Sequence, residues 1–293
     1  MNKILVTGAT GRLGSQVTAQ LLKKTAAQNI SVLVRDANKA TALKDQGITV
    51  ITGDYSDYAS LLNAFKGIDK VYMVSGNDLE NRVQQHKDLI KAAVEAGVKQ
   101  VFYTSFQRKT ESGDSPLAVI SSSHLITENE LINSGLTYTI LKHALYADII
   151  PDFAGPQVLE TENLVFPGGD GKTAFATTAD LAEAAAVILL DNSGRYDNVA
   201  VDLSGSQAVT WAEIAAIISS ASGVEIQYVS PSIDSYRGNL EKAGLPSFFV
   251  DMLAGFAWAT EAGEFAEVTG ELERIIGREP VSPTAYLNGV YSK

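Results

Sequence analysis

Seven residues near the start of this chain, Gly8-Ala-Thr-Gly11-Arg-Leu-Gly14, limit its fold more than any other feature. They follow the apolar run Ile4–Val6 and open a helix-like stretch, Ser15–Thr25. A glycine-punctuated turn of this kind lets the chain reverse sharply, admits backbone amides close to a pyrophosphate and allows helix and strand to pack tightly. The helix that follows aims its unpaired N–H groups and the positive end of its dipole at the same place. A Walker-type phosphate loop needs Gly-Lys-Ser/Thr at its end. Here Ser15 follows Gly14 directly, so nucleotide hydrolysis is a poor reading and dinucleotide binding is the better one.

The rest of the first half repeats the same rhythm. Short β-branched or aromatic runs at Ser31–Val34, Thr49–Ile51, Lys70–Val74, Gln100–Tyr103 and Thr137–Leu141 alternate with helical stretches such as Ala59–Phe65 and Asn81–Ala96. Gly47, Gly67, Gly97 and Gly135 stand where helices should stop. This alternation predicts an α/β fold, a Rossmann-like doubly wound parallel sheet covered by helices on both faces. Beyond residue 150 the rhythm loosens. "TWAEIAAIISSASG" opens on the Thr210–Glu213 spacing of a capping box, "VEIQYV" reads as a strand, and a helical tail ends in "GELERIIGREP". The expected organisation is a nucleotide-binding domain over 1–150, with sheet contributions from 151–205, and a smaller α-rich C-terminal lobe over 206–293 that forms the substrate cleft.

Composition narrows the chemistry. The 293 residues include no cysteine, which excludes disulfides, thiolate catalysis and thiolate-bound metal. Three histidines in separate segments (His86, His124, His143) make a histidine metal site a poor reading, and no metal is expected. Residues 1–150 carry 16 Lys and Arg against 14 Asp and Glu, whereas 151–293 carry 7 against 20. Such an acidic second half repels phosphate backbones, so no nucleic-acid partner is expected. The longest later apolar run, Ala184–Leu190, is far too short to cross a bilayer, and no secretory signal is visible. The expectation is a soluble cytoplasmic protein without membrane insertion, monomeric or dimeric.

The end of the second strand bears on which dinucleotide binds. NAD sites commonly place Asp or Glu there for the ribose 2′-hydroxyl. This chain has Arg35, 21 residues after Gly14, with Asp36 beside it. A guanidinium suits a 2′-phosphate, and Arg12 in the turn adds a second positive charge, so NADP(H) is the expected cofactor.

Dehydrogenases with this turn usually carry a Tyr and a Lys four residues apart on a helix, close enough for the ammonium to lower the phenol's pKa. After Thr104–Ser105 no tyrosine occurs until Tyr138, and "SSSHLITENEL" supplies neither partner. Tyr138 and Lys142 have the spacing, but "LTYTILKH" reads as a strand, where four residues span roughly 13 Å. Ordinary alcohol dehydrogenation is therefore rejected.

Taken together, Gly8–Gly14, Arg35, "GDYSD" (Gly53–Asp57), "QHKDLIKAAVEAGVKQVFYTS" (Gln85–Ser105), "YTILKHALY" (Tyr138–Tyr146) and "GGDGKTAFATTADLAEA" (Gly168–Ala184) resemble the NmrA-like branch of atypical short-chain dehydrogenases. Within that branch the chain is most similar to the bacterial NADPH-dependent quinone oxidoreductases of type two, then to triphenylmethane reductases. The resemblance implies a domain holding NADP(H) and a small lobe over the nicotinamide. By position, Gly8, Ala9, Thr10, Gly11, Arg12, Leu13 and Gly14 would form the pyrophosphate loop and Arg35 would meet the 2′-phosphate. Asp54 would lie near the adenine, Ser75, Gly76 and Asn77 along the cofactor, and Lys142 to Tyr146 beside the nicotinamide. Where the quinone reductases show Arg-Asn-Gly-Trp-Tyr or a close variant, this chain has Lys142-His143-Ala144-Leu145-Tyr146. His143 is thus expected either to bond the carboxamide, to donate a proton to a nascent quinol, or only to fill space; Tyr146 is the second candidate catalytic residue.

The remaining histidines read as structural. His86 is expected on a surface helix, and His124 in a structural or cleft-lining role. Phe248, Phe249, Phe256 and Trp258 line either a cleft for a flat ring or the core of the lobe. The favoured function is hydride transfer from NADPH to a quinone or similar conjugated acceptor, a small apolar or aromatic molecule. The main alternative is a non-catalytic NADP(H) sensor of the same fold, and a sugar-nucleotide epimerase is disfavoured by the missing tyrosine.

Overall fold

A computed structural model describes residues 2–111 and 117–292. The first half runs β1 (Ile4–Thr7), α1 (Arg12–Leu22), β2 (Ile30–Val34), α2 (Thr41–Asp45), β3 (Thr49–Thr52) and α3 (Tyr58–Ala64). It continues through β4 (Lys70–Met73), α4 (Arg82–Glu95), β5 (Gln100–Phe106), α5 (Ala118–Ile132) and β6 (Thr137–His143). Then come α6 (Ile150–Ala154), α7 (Val158–Thr161), β7 (Asn163–Val165), β8 (Lys172–Thr173), α8 (Thr178–Leu190), β9 (Val199–Leu203) and β10 (Val209–Thr210). The chain ends with α9 (Trp211–Ser222), β11 (Gln227–Val229), α10 (Ile233–Lys242), α11 (Ser247–Glu261), α12 (Glu271–Ile276) and α13 (Pro283–Tyr291). Two compact units result. One comprises Met1–Phe106, Ser123–Lys142 and Thr178–Asp202, the other Gln107–Ser122, His143–Thr177 and Leu203–Lys293.

The first unit is built on a seven-stranded sheet of order β3-β2-β1-β4-β5-β6-β9, with β1 to β5 paired in parallel. The doubly wound fold read from the sequence is the one present. Strands β1, β2 and β4 are buried along their whole length, because helices cover both faces and neither face can be polar. On one face Leu5, Leu33, Val71, Met73, Val101 and Tyr103 meet Leu61, Phe65, Leu89, Ala93 and Leu131 of the helical layer. On the other, α1 lies against α8, whose Ala182, Ala185 and Ala186 are fully buried. Small side chains allow that approach, and the Gln16 amide pins the pair by donating to Thr178 Oγ1 at 2.9 Å.

The second unit packs α9, α13 and three short helical stretches around Phe166, Phe175 and Trp211. The Phe166 and Trp211 rings lie 4.4 Å apart by centroid. The capping box is formed as expected. Thr210 Oγ1 accepts the Glu213 N–H, and Glu213 Oε2 accepts the Thr210 N–H at 2.7 Å, which holds that carboxyl below its usual range. Strands β7 and β11 pair in parallel, β8 and β10 antiparallel. One element differs from the sequence reading: the helical tail does not end at "GELERIIGREP" but resumes as α13, capped by Ser282 with Pro283 in its first turn.

Candidate cofactor site

Chain direction across the sheet reverses between β1 and β4. From β1 the chain proceeds outward to β2 and β3, then returns to place β4 on the other side of β1. The loops leaving β1 and β4 therefore diverge, and a crevice opens at the carboxyl ends of the strands. The glycine turn sits at this point. Gly8 has φ +61°, a conformation that costs an L-residue roughly 1–2 kcal/mol. Its carbonyl accepts the Gly11 N–H at 2.9 Å and leads into α1. Gly14 serves a different end: a Cβ there would lie 2.4 Å from the Gly8 carbonyl oxygen, so the first turn of α1 rests directly on the loop. No side chain caps α1 and its first turn carries no acidic residue, which leaves its N–H groups and dipole available to an anion.

A cavity of about 790 Å³ opens beside this turn, a volume suited to a large ligand. Among the expected residues, Gly8, Ala9, Thr10, Gly11, Arg35, Asp54, Ser75, Gly76 and Asn77 line it. Arg12 begins α1 and is exposed, whereas Leu13 and Gly14 are buried in the helix–loop contact. Lys39, unremarked in the sequence, joins Arg35 on the cavity lining. The reason is Asp36. Its carboxylate accepts the Asn38 N–H at 2.9 Å and caps the short turn Ala37–Ala40 that carries Lys39. The acid beside Arg35 is thus engaged with its own backbone.

The floor is fixed by hydroxyl groups. Thr7 Oγ1 donates to the Tyr72 carbonyl at 3.1 Å and accepts the Val74 N–H at 2.9 Å, joining the ends of β1 and β4. The Tyr55 hydroxyl lies 2.6 Å from Thr7 Oγ1 and 2.8 Å from the Val74 carbonyl, and burial raises its pKa well above the phenol value. Asp54, on the lining, accepts the Ser56 N–H at 2.8 Å. The Ser75 N–H donates to Thr104 Oγ1 at 2.8 Å.

His86 corrects the sequence reading, which placed it on a helix surface. It is fully buried, because α4 turns this face toward the loop after β4. His86 Nε2 accepts the Gly76 N–H at 3.0 Å, and Nδ1 lies 2.9 Å from Thr127 Oγ1. Burial and the nearby Arg82 charge lower its pKa to about 3. His124 is also structural, with Nδ1 2.7 Å from the Tyr103 hydroxyl.

Lys142 ends the first unit's share of β6, while His143 and Tyr146 belong to the second unit. Tyr138 and Lys142 both lie on that strand, as the spacing argument required. His143 is only 1% exposed, and burial alone lowers its pKa to about 3. Its Nδ1 is 3.4 Å from the Tyr146 hydroxyl, and Nε2 has no hydrogen-bond partner among the described residues. Burial favours the neutral imidazole, which keeps one ring N–H to donate and one ring nitrogen to accept. Phe248, Phe249 and Trp258 are exposed on α11, while Phe256 packs on Phe153 at 6.0 Å and Phe265 at 6.2 Å. The four do not form one aromatic cluster. Among the described residues, no group of three or more His, Asp or Glu side chains is placed to hold a metal, and no helix is long and apolar enough to cross a membrane.

Comparison with known proteins agrees with this geometry. The NmrA-like family model matches residues 1–280. Quinone oxidoreductase 2 of Escherichia coli (strain K12) is 36% identical over 274 residues, covering 94% of this chain and 93% of its own. The crystal structure of an E. coli NADPH-dependent quinone oxidoreductase complexed with NADPH has a TM-score of 0.92 and 34% identity, over 99% of this chain and 100% of its own. Citrobacter triphenylmethane reductase complexed with NADP(H) has a TM-score of 0.88 and 33% identity, over 97% and 99%. Similar structures thus carry the cofactor expected for this cavity.

Proposed function

The chain belongs to the NmrA-like family, and on that footing we propose that it is an NADPH-dependent oxidoreductase whose acceptor is a quinone or a similar flat conjugated molecule. The observation that carries the cofactor half is the cation pair Arg35 and Lys39 on the lining, with the neighbouring Asp36 committed to Asn38. A free carboxylate at that place would repel a 2′-phosphate; two cations attract it. The uncapped start of α1 and the Gly8–Gly11 turn suit the pyrophosphate. The acceptor half rests on the names of relatives similar over nearly the whole chain.

Bound NADPH supplies the hydride, and the residues of this chain bind, orient and shield. Reduction of a quinone takes that hydride and one proton, giving hydroquinone and NADP⁺. By matching position in the family, Lys142 and His143 would meet the nicotinamide side, with neutral His143 offering a hydrogen bond. His143, Tyr146 or solvent would then supply the proton, with Tyr146 Oη 3.4 Å from His143 Nδ1. The test is acceptor-dependent loss of nicotinamide absorbance across a panel of quinones and dyes. Turnover with NADPH supports the reading. Tight NADPH binding with no acceptor reduced would overturn it in favour of a redox sensor.

A further inference from the structure

Arg82, Gln85 and His86 lie at i, i+3 and i+4 in the first turns of α4, on one helix face. All three are buried. Each turns polar atoms onto the loop Ser75–Asp78 that lines the cavity, and the His86 ring also packs edge-on against Tyr55 and Tyr103. Arg82 Nε donates to the Gly76 carbonyl at 2.6 Å, while His86 Nε2 accepts the N–H of the same residue at 3.0 Å. Gln85 Nε2 donates to Asp78 Oδ2 and to Ser56 Oγ, each at 3.0 Å, and so joins the loops after β4 and β3. The tautomer of His86 follows from its other partner. Thr127 gives its hydroxyl proton to the Ser123 carbonyl at 2.7 Å, so it accepts from Nδ1–H and leaves Nε2 bare toward Gly76.

Burying an arginine and a neutral histidine is costly, and apolar residues of similar volume would hold a helix in place at least as well. What apolar residues cannot do is hold both backbone groups of a glycine in a loop. We propose that Arg82, Gln85 and His86 are positioning residues that brace the Ser75–Asp78 wall in its binding geometry before NADP(H) arrives. With its N–H spent on His86, Gly76 offers the ligand no backbone donor. The inference rests on the proposed NADP(H) reading.

The test compares NADPH dissociation constants, by nicotinamide fluorescence, for wild type, His86→Leu, His86→Gln and Gln85→Leu. Amide exchange at Gly76 is followed in the free proteins. His86→Leu removes the acceptor for the Gly76 N–H, whereas glutamine keeps an acceptor and a donor. Loss of one such contact is expected to weaken NADPH binding about tenfold in His86→Leu and Gln85→Leu, with His86→Gln within about threefold of wild type. Gly76 exchange should accelerate in His86→Leu before any ligand is added. Folded variants with wild-type affinity, or unchanged Gly76 exchange in His86→Leu, would overturn the brace. If His86→Leu does not fold, Gln85→Leu decides alone. Failure of the wild type itself to bind NADPH would instead overturn the proposed function, while the exchange measurement still reports on the loop.

Discussion

Asp36 and Arg35 are adjacent in sequence and part company in space. The carboxylate closes a turn on Asn38, and that turn brings Lys39 to the cavity alongside Arg35. Arg35→Ala and Lys39→Ala are each expected to weaken NADPH about tenfold while barely changing NADH, the size of one charge-assisted contact. Competitive titration with the two nucleotides checks this, and equal losses for both would argue that the cations do not meet the 2′-phosphate. Two of the three buried histidines make a separate prediction. His86 and His143 are held neutral in the fold with pKa values near 3, against 6.5 for an exposed imidazole. Below pH 6.5 the unfolded chain therefore binds protons that the folded chain refuses, so stability falls as pH drops. The expected slope is roughly 1.4 kcal/mol per pH unit for each histidine, continuing toward pH 3. Denaturant melts from pH 7.5 to 5 measure it, and His143→Asn should remove about half of that histidine-dependent slope. An unchanged slope would mean that His143 titrates normally.

The β1–turn–α1 unit shows which sequence signals survive folding intact. Gly14 must lack a Cβ because α1 rests on the Gly8 carbonyl, so Gly14→Ala forces backbone apart. Its expected effect is a lowered melting temperature together with loss of NADPH binding. A stable, binding-competent variant would contradict this contact. Strands, helix stops and the glycine turn were legible because their causes are local: β-branched runs, alternation and the need for tight turns. His86 was misplaced for the opposite reason. Its partners are a peptide on the preceding loop and Thr127 on α5, neither of which the periodicity of α4 encodes. Lys39 was missed although Asp36-Ala-Asn38 is a capping signal, since only the folded turn gives its direction. The Ser282-Pro283 pair is itself a local signal for the start of α13. The exposed aromatics of α11 had no local signal to separate them from core.

At the scale of the whole molecule, the switch in strand order creates the crevice, and the loops around it supply glycines, cations and a braced wall. Stability and binding are then linked by mass action: NADPH at 100 times its dissociation constant should add about 2.7 kcal/mol. For a chain of this size that corresponds to a rise of roughly 4 °C in melting temperature. NADH at the same concentration should shift it far less, and identical shifts would count against NADP(H) selectivity. Whether the bound nucleotide reduces an acceptor is decided by steady-state oxidation of NADPH by the purified protein with and without a quinone. Saturable, quinone-dependent loss of nicotinamide absorbance is expected, much slower with NADH and weakened by Arg35→Ala. NADPH that binds tightly yet is not consumed by any quinone or dye would contradict it.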